Sequence, residues 1–336
     1  MGALDALRGL AALAVVGFHY TMLTPYTFPF KYGVTGVDIF FLFSGFVVLL
    51  SFKEGAMLKH LVVNRIARLY PAYWAAVLFT GFLFWFYNVH SADELHAFLL
   101  MFGANLTMFQ YYLQQPNLDG PYWTMTYEIL FFLFMLGVFA FNGLRRIEWV
   151  ALGGVLFTGV HSMLLKYLIP DVFAVLQQWV PILSHFALFM AGIFFYKMRT
   201  EGITPFRVVS VLLAYGVQLT AFENGGMSHV YITFKEYFVI LTFYFVVLFL
   251  LVHDRLNFLE WKPLLFFGAI SYPLFLVHQF VSRSVIIAVL VRYNGFSFWA
   301  ASAVALLFCI GLATLINKYV EKPVGNAVRN VFGLKK

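Results

Sequence analysis

One cysteine, Cys309, stands among 336 residues, so neither an internal disulfide framework nor a cysteine zinc cluster is available. Charge is scarce too. Asp, Glu, Lys and Arg make up 11% of the chain, where a soluble domain carries about a quarter. No G-x-S-x-G elbow, H-E-x-x-H pair or Gly-rich phosphate loop occurs, which removes support for a soluble-type serine hydrolase, a zinc protease and nucleotide hydrolysis. No fixed-period repeat is visible. Asp5 and Arg8 interrupt the N-terminal apolar run and no small-residue cleavage site follows it, so it does not read as a signal peptide. Ala6 occupies the position where a myristoylation signal needs Ser or Thr.

What fills the space is apolar. Hydrophobic residues are 62% of the chain, mean hydropathy is +0.85, and there are 42 Phe and 19 Tyr. Repeated apolar runs near 20 residues predict a polytopic all-helical membrane protein, because about 20 helical residues cross about 30 Å of hydrocarbon. Ten spans are expected: 6–23, 36–52, 70–88, 121–141, 147–168, 181–198, 206–222, 233–252, 264–287 and 297–317. The stretch 95–113 carries Asn105 and Gln110, with a double Tyr and Gln114 at its end, and reads as interfacial or re-entrant. With that choice, Lys31, Lys166, Lys235, Arg283 and Arg292 lie on one side and the other 17 of the 22 Lys and Arg on the opposite side. Such a bias places both termini in the cytoplasm and accounts for the net charge of +7 without invoking nucleic acid. Residues 1–336 form a single transmembrane domain. The segment 88–121, with Asp93, Glu94 and Asp119, is the longest extracytoplasmic stretch and the expected acceptor-facing surface.

Ionisable groups inside spans are costly and point to function. The first span holds Arg8 and His19, 11 residues apart, hence on nearly one helix face and roughly 16 Å apart along the axis. Asp38 in GVDIFFLFSGF, Glu128 in PYWTMTYEILFF and His278 in SYPLFLVHQF fall near the depth of His19. A carboxylate bonded to one imidazole nitrogen fixes the tautomer and leaves the other nitrogen basic, able to deprotonate an alcohol that attacks a carbonyl carbon. Asp38 is the expected partner of His19, since a short loop joins their helices. Each group has a plainer reading: Asp38 as a first-turn acid, the histidines as packing groups, Glu128 paired with a cation such as Arg283. On the opposite side, VVNRIARLYPAYW sets Arg65 and Arg68 three residues apart, adjacent on a helical turn. With Arg8 they form a phosphate-binding candidate, against ordinary positive-inside anchoring.

These segments resemble the membrane acyltransferase-3 family over most of the chain. LRGLAALAVVGFH resembles the family's first helix through Arg8 and His19, and GVDIFFLFSGF its second through Asp38, Ser44 and Gly45. RIARLYP is similar to the R-x-x-R element at Arg65 and Arg68, and WTMTYE to W-S-L-x-x-E at Trp123 and Glu128. SYPLFLVH resembles the late helix through Ser271, Tyr272 and His278, and YVEKP the C-terminal element at Glu321 and Pro323. Asn64 stands where many members carry another arginine, and Thr124 where serine is usual. The resemblance implies an integral enzyme of a bacterial plasma membrane that moves an acyl group, commonly acetyl, from cytoplasmic acyl-CoA to a carbohydrate or glycolipid hydroxyl. Arg8, Arg65 and Arg68 would hold the donor phosphates, and His19, oriented by Asp38, would be the base. Trp123, Glu128 and His278 would line the acceptor end, with no metal. The rival expectation is a proton- or ion-coupled transporter using the same His, Asp and Glu as a relay, although the paired broken helices of transporters are not evident.

Overall fold

The protein is described here from a computed structural model covering residues 2–52, 57–224 and 227–334. Among these residues every regular element is helical. Lys53, Lys335 and Lys336, counted above with the cytoplasmic charges, lie outside them.

The first helices are α1 (Gly2–Thr21), α2 (Gly36–Ser51), α3 (Leu58–Asn88), α4 (Ala92–Asn105), α5 (Trp123–Ala140) and α6 (Ile147–Gly159). Seven helical stretches are long and apolar enough to cross a membrane: Gly2–Thr21, Phe28–Ser51, Leu58–Asn88, Gly120–Ala140, Gly143–Leu168, Phe234–Val252 and Phe298–Val331. An eighth is a broken pair, Lys262–Val277 and Phe280–Asn294, bent by 66°. The other two expected spans become helices of 16 residues, Phe186–Glu201 and Pro205–Thr220. At about 1.5 Å per residue these reach about 24 Å, short of a full hydrocarbon crossing. The structure thus supports seven to eight spans where ten were expected. The 14 residues of α4 are likewise too few to cross, as the sequence reading held for 95–113.

Two compact units divide the chain. The first comprises residues 1–7, 28–56 and 127–262. Its centre is the helix Phe186–Glu201, whose stretch Phe186–Phe195 is apolar around its whole circumference and buried, as a stretch without a polar face must be. Glycine lets α2 lie directly against it. A β-carbon on Gly45 would strike the Phe189 carbonyl, and one on Gly192 the Leu42 carbonyl, the small-residue contact by which membrane helices pack closely.

The second unit comprises residues 8–27, 57–126 and 263–336. Two prolines lie within its helices, Pro71 in α3 and Pro273 in Lys262–Val277. Proline cannot donate to the carbonyl four residues back. For Pro273 that carbonyl is Ala269, and the Asn317 amide donates to it instead at 3.0 Å. The stretch after α4 is tied down by buried amides. Asn105 Nδ2 donates to the carbonyls of Met101 and Pro116, its Oδ1 accepts from Leu118 N–H, and Gln110 donates to Asn117 and to the Tyr122 carbonyl. The polar residues that made this stretch look interfacial are therefore its internal fastenings.

Candidate active site

In the second unit His19, two residues from the end of α1, meets His278, which occupies the break between the two halves of the bent pair. His278 Nε2 lies 2.8 Å from His19 Nδ1, and His278 Nδ1 lies 2.8 Å from the Phe275 carbonyl. A carbonyl only accepts, so His278 carries its proton on Nδ1 and presents a lone pair at Nε2. His19 Nδ1–H then donates to that lone pair, which leaves His19 Nε2 as the basic nitrogen. His278 is fully buried. It is one of two histidines in a chain of hydrogen bonds that fixes the tautomer, a task the sequence reading gave to a carboxylate.

The break that places His278 is itself held. Asp119 accepts from the backbone N–H of Phe280, at 3.1 Å to Oδ1 and 3.2 Å to Oδ2. The expectation that Asp119 belongs to an exposed acceptor-facing surface is corrected here: its residue surface is 3% exposed, because the Asn105 and Gln110 fastenings fold its segment inward. Asp93 and Glu94, in the same stretch, are exposed. One turn after His278, Ser282 hydrogen-bonds to Tyr20 at 2.6 Å and to Cys309 at 3.1 Å, which accounts for the lone thiol as buried packing.

The three predicted arginines also lie in this unit, Arg8 in α1 and Arg65 and Arg68 in the second and third turns of α3. Arg68, Lys322 and Arg8 all contribute to the electrostatic surroundings of Glu321. Glu321 in turn accepts from Asn317 Nδ2 at 2.9 Å. Trp123 is the half-buried first residue of α5, directly after the short turn Gly120–Tyr122.

In the first unit Ser44, on α2, donates to Glu128 Oε1. Asp38, in the first turn of α2, is 1% exposed, too buried for an interfacial capping acid. Its Oδ1 lies 3.1 Å from His185 Nδ1, and the Tyr237 side chain is close enough to feel its charge. Within its own unit the neighbour of Asp38 is thus His185. α2 packs along Phe186–Glu201, so its first turn faces the residue that opens that helix. Sequence reasoning missed His185. Its one signal was a histidine at the polar start of a long apolar run, SHFALFM.

A family model for the acyltransferase domain of the acyltransferase-3 type matches residues 1–318. The chain belongs to the acyltransferase-3 family. No curated protein and no solved structure gives a match. Each motif quoted for the family thus has a place in the fold: the first-helix histidine on the late-helix histidine, the second-helix serine on the W-x-x-x-x-E glutamate, and the C-terminal glutamate beside two arginines. Membership in the acyltransferase-3 family, with several helices fit to cross a bilayer, makes this a multi-pass membrane acyltransferase.

Proposed function

We propose that the protein is an O-acyltransferase that moves an acyl group, in the first instance acetyl, from acyl-CoA to a carbohydrate hydroxyl, with His19 as the base. The observation that carries this reading is the His19–His278 pair, whose hydrogen bonds leave Nε2 as the basic nitrogen of His19. Nε2 takes the proton of the acceptor hydroxyl as its oxygen attacks the thioester carbonyl. The His19 imidazolium then returns that proton to the departing thiolate, so the ester forms, the thioester breaks and the base is regenerated. Arg8 and Arg68, both in the electrostatic surroundings of Glu321, are guanidinium groups of the kind that holds a diphosphate. The half-buried indole of Trp123 offers a flat face to a sugar ring; in the other unit Glu128, held by Ser44, is a carboxylate able to accept from hydroxyls.

The direction is inferred from the charge bias: donor phosphates at the Lys- and Arg-rich cytoplasmic side, acceptor outside, in a bacterial plasma membrane. Mass spectrometry of surface glycans from cells with and without the gene tests donor group and acceptor together. An acyl increment that disappears with the gene is expected; identical glycans would sink the reading and favour a transporter. In membranes carrying an active enzyme, His19→Ala is expected to lower acyl transfer about 10²–10⁴-fold, the range for loss of a general base. Transfer at the wild-type rate would remove His19 from the mechanism.

A further inference from the structure

The C-terminal helix Lys322–Val331 runs antiparallel along α3 in a definite register. Gly325 lies against the Ala67 carbonyl, Arg329 Nε donates to Asn64 Oδ1 at 3.2 Å, and the Lys59 ammonium sits over the Phe332 ring. The first contact has a cause. Pro71 withholds the hydrogen bond that the Ala67 carbonyl would receive in an unbroken helix, and only a residue without a β-carbon can approach that carbonyl so closely. Gly325 thereby fixes the register, and the register delivers Arg329 to Asn64, one helical turn from Arg68 on the same face of α3.

Arg329 differs from the other cations held in ion pairs. Arg207 is bound to Glu148 and Glu201, and Arg199 to Asp254. The hydrogen-bond partners of Arg329 are two neutral amides, Asn64 at 3.2 Å and Asn326 at 3.1 Å. Its guanidinium is oriented, half-exposed and not neutralised by these partners, which is the condition for binding an anion rather than closing an internal pair. One turn of α3 is about 5.4 Å, so a ligand of Arg329 carries a second anionic group separate from the one at Arg8, Arg65 and Arg68. Acyl-CoA has that pattern, a diphosphate and a distinct ribose 3′-phosphate.

We propose that Arg329 binds the ribose 3′-phosphate of the acyl-CoA donor, supplying from the C-terminal helix a cation that α3 lacks at Asn64. The proposal rests on the acyl-CoA reading of the arginine cluster, and its test separates the two. Purified full-length protein is titrated with acetyl-CoA and with acetyl-3′-dephospho-CoA, for wild type, Arg329→Ala and Arg329→Lys. Wild type is expected to bind acetyl-CoA about tenfold or more tighter than the dephospho analogue, the size of one charge-assisted contact. Arg329→Ala should reduce that ratio to near one while leaving affinity for the dephospho analogue unchanged, which also shows that the variant is folded; Arg329→Lys should keep part of the ratio. A second variant, Asn64→Arg on Arg329→Ala, should restore discrimination by placing the cation on α3 itself. Equal ratios in wild type and Arg329→Ala, or a wild-type ratio of one, overturn the assignment of Arg329. Failure of wild type to bind either nucleotide overturns the acyl-CoA reading beneath it.

Discussion

The carboxylate of Asp119 lies in the segment just before the span that opens at Gly120, and burial pushes its pKa up to about 7 against the opposing hydrogen bonds from Phe280 and Gly120. An unfolded aspartate titrates near 3.9. Between about pH 4 and about pH 7 the folded protein therefore holds a proton that the unfolded chain has released. Through this group stability falls as pH rises across that window and is flat above it. Asp119→Asn keeps an oxygen for the Phe280 N–H and removes the titration. Thermal unfolding of the two purified proteins from pH 5 to pH 8 should show wild type losing stability relative to the variant up to neutrality; parallel curves would show that the carboxylate is not protonated in the fold. At this scale the sequence was half legible. His19 and His278 announced themselves as ionisable residues in apolar runs, whereas their contact depends on a helix break that no local pattern marks. Asp38 was visible as an unusual acid, but its partner His185 is 147 positions away and set by the packing of α2. Asp119 was misjudged because an acid in a polar stretch looks exposed until the amides that fold the stretch inward are seen.

At the scale of elements, the helix that carries His278 is stabilised from outside. Pro273 leaves the Ala269 carbonyl without its helical donor, and Asn317 supplies one. Asn317→Leu should destabilise the protein by about 1–3 kcal/mol, the cost of a buried unsatisfied carbonyl. Pro273→Ala restores a backbone N–H and should recover part of that loss in the Asn317→Leu background, the remainder reflecting the lost contact to Glu321. In the wild-type background the same proline replacement has no unsatisfied carbonyl to repair. Additive effects of the two substitutions on the unfolding midpoint would contradict this exchange of donors. Helix existence was legible in the apolar runs, and the Thr233 capping box with Glu236 marks the start of Phe234–Val252 as a sequence signature should. Helix ends were less so. α3 begins at Leu58, well before the expected 70, because its first turns carry Arg65 and Arg68 on a helix that continues beyond the apolar core.

For the whole molecule the span count turns on Phe186–Glu201 and Pro205–Thr220. Crossing by both or by neither leaves the termini on one side, so eight spans and ten predict the same sign of loop charge everywhere except at the turn between these two helices. The first unit bears on that turn directly. Arg207 binds Glu148 and the Gly202 carbonyl, and Arg199 binds Asp254 and the Leu251 carbonyl, so the turn lies at the end of the unit that carries the 145–148 and 251–257 connections. At its opposite end Gln177 donates to the Ser184 hydroxyl, and Gln218 donates to the Ser184 carbonyl. The hairpin thus runs the length of the unit although each arm is short, which is possible because Phe186–Phe195 is surrounded by protein and need not match the lipid thickness. We therefore expect the turn on the cytoplasmic side. Cys309 is buried and should stay silent to an impermeant thiol reagent, while Ile203, 43% exposed, is a suitable site for Ile203→Cys. In sealed right-side-out vesicles, Asp93→Cys, in the stretch expected outside, should label at once and Ile203→Cys only after the membrane is opened. Labelling of Ile203→Cys in sealed vesicles would place the hairpin outside and fix the count at eight.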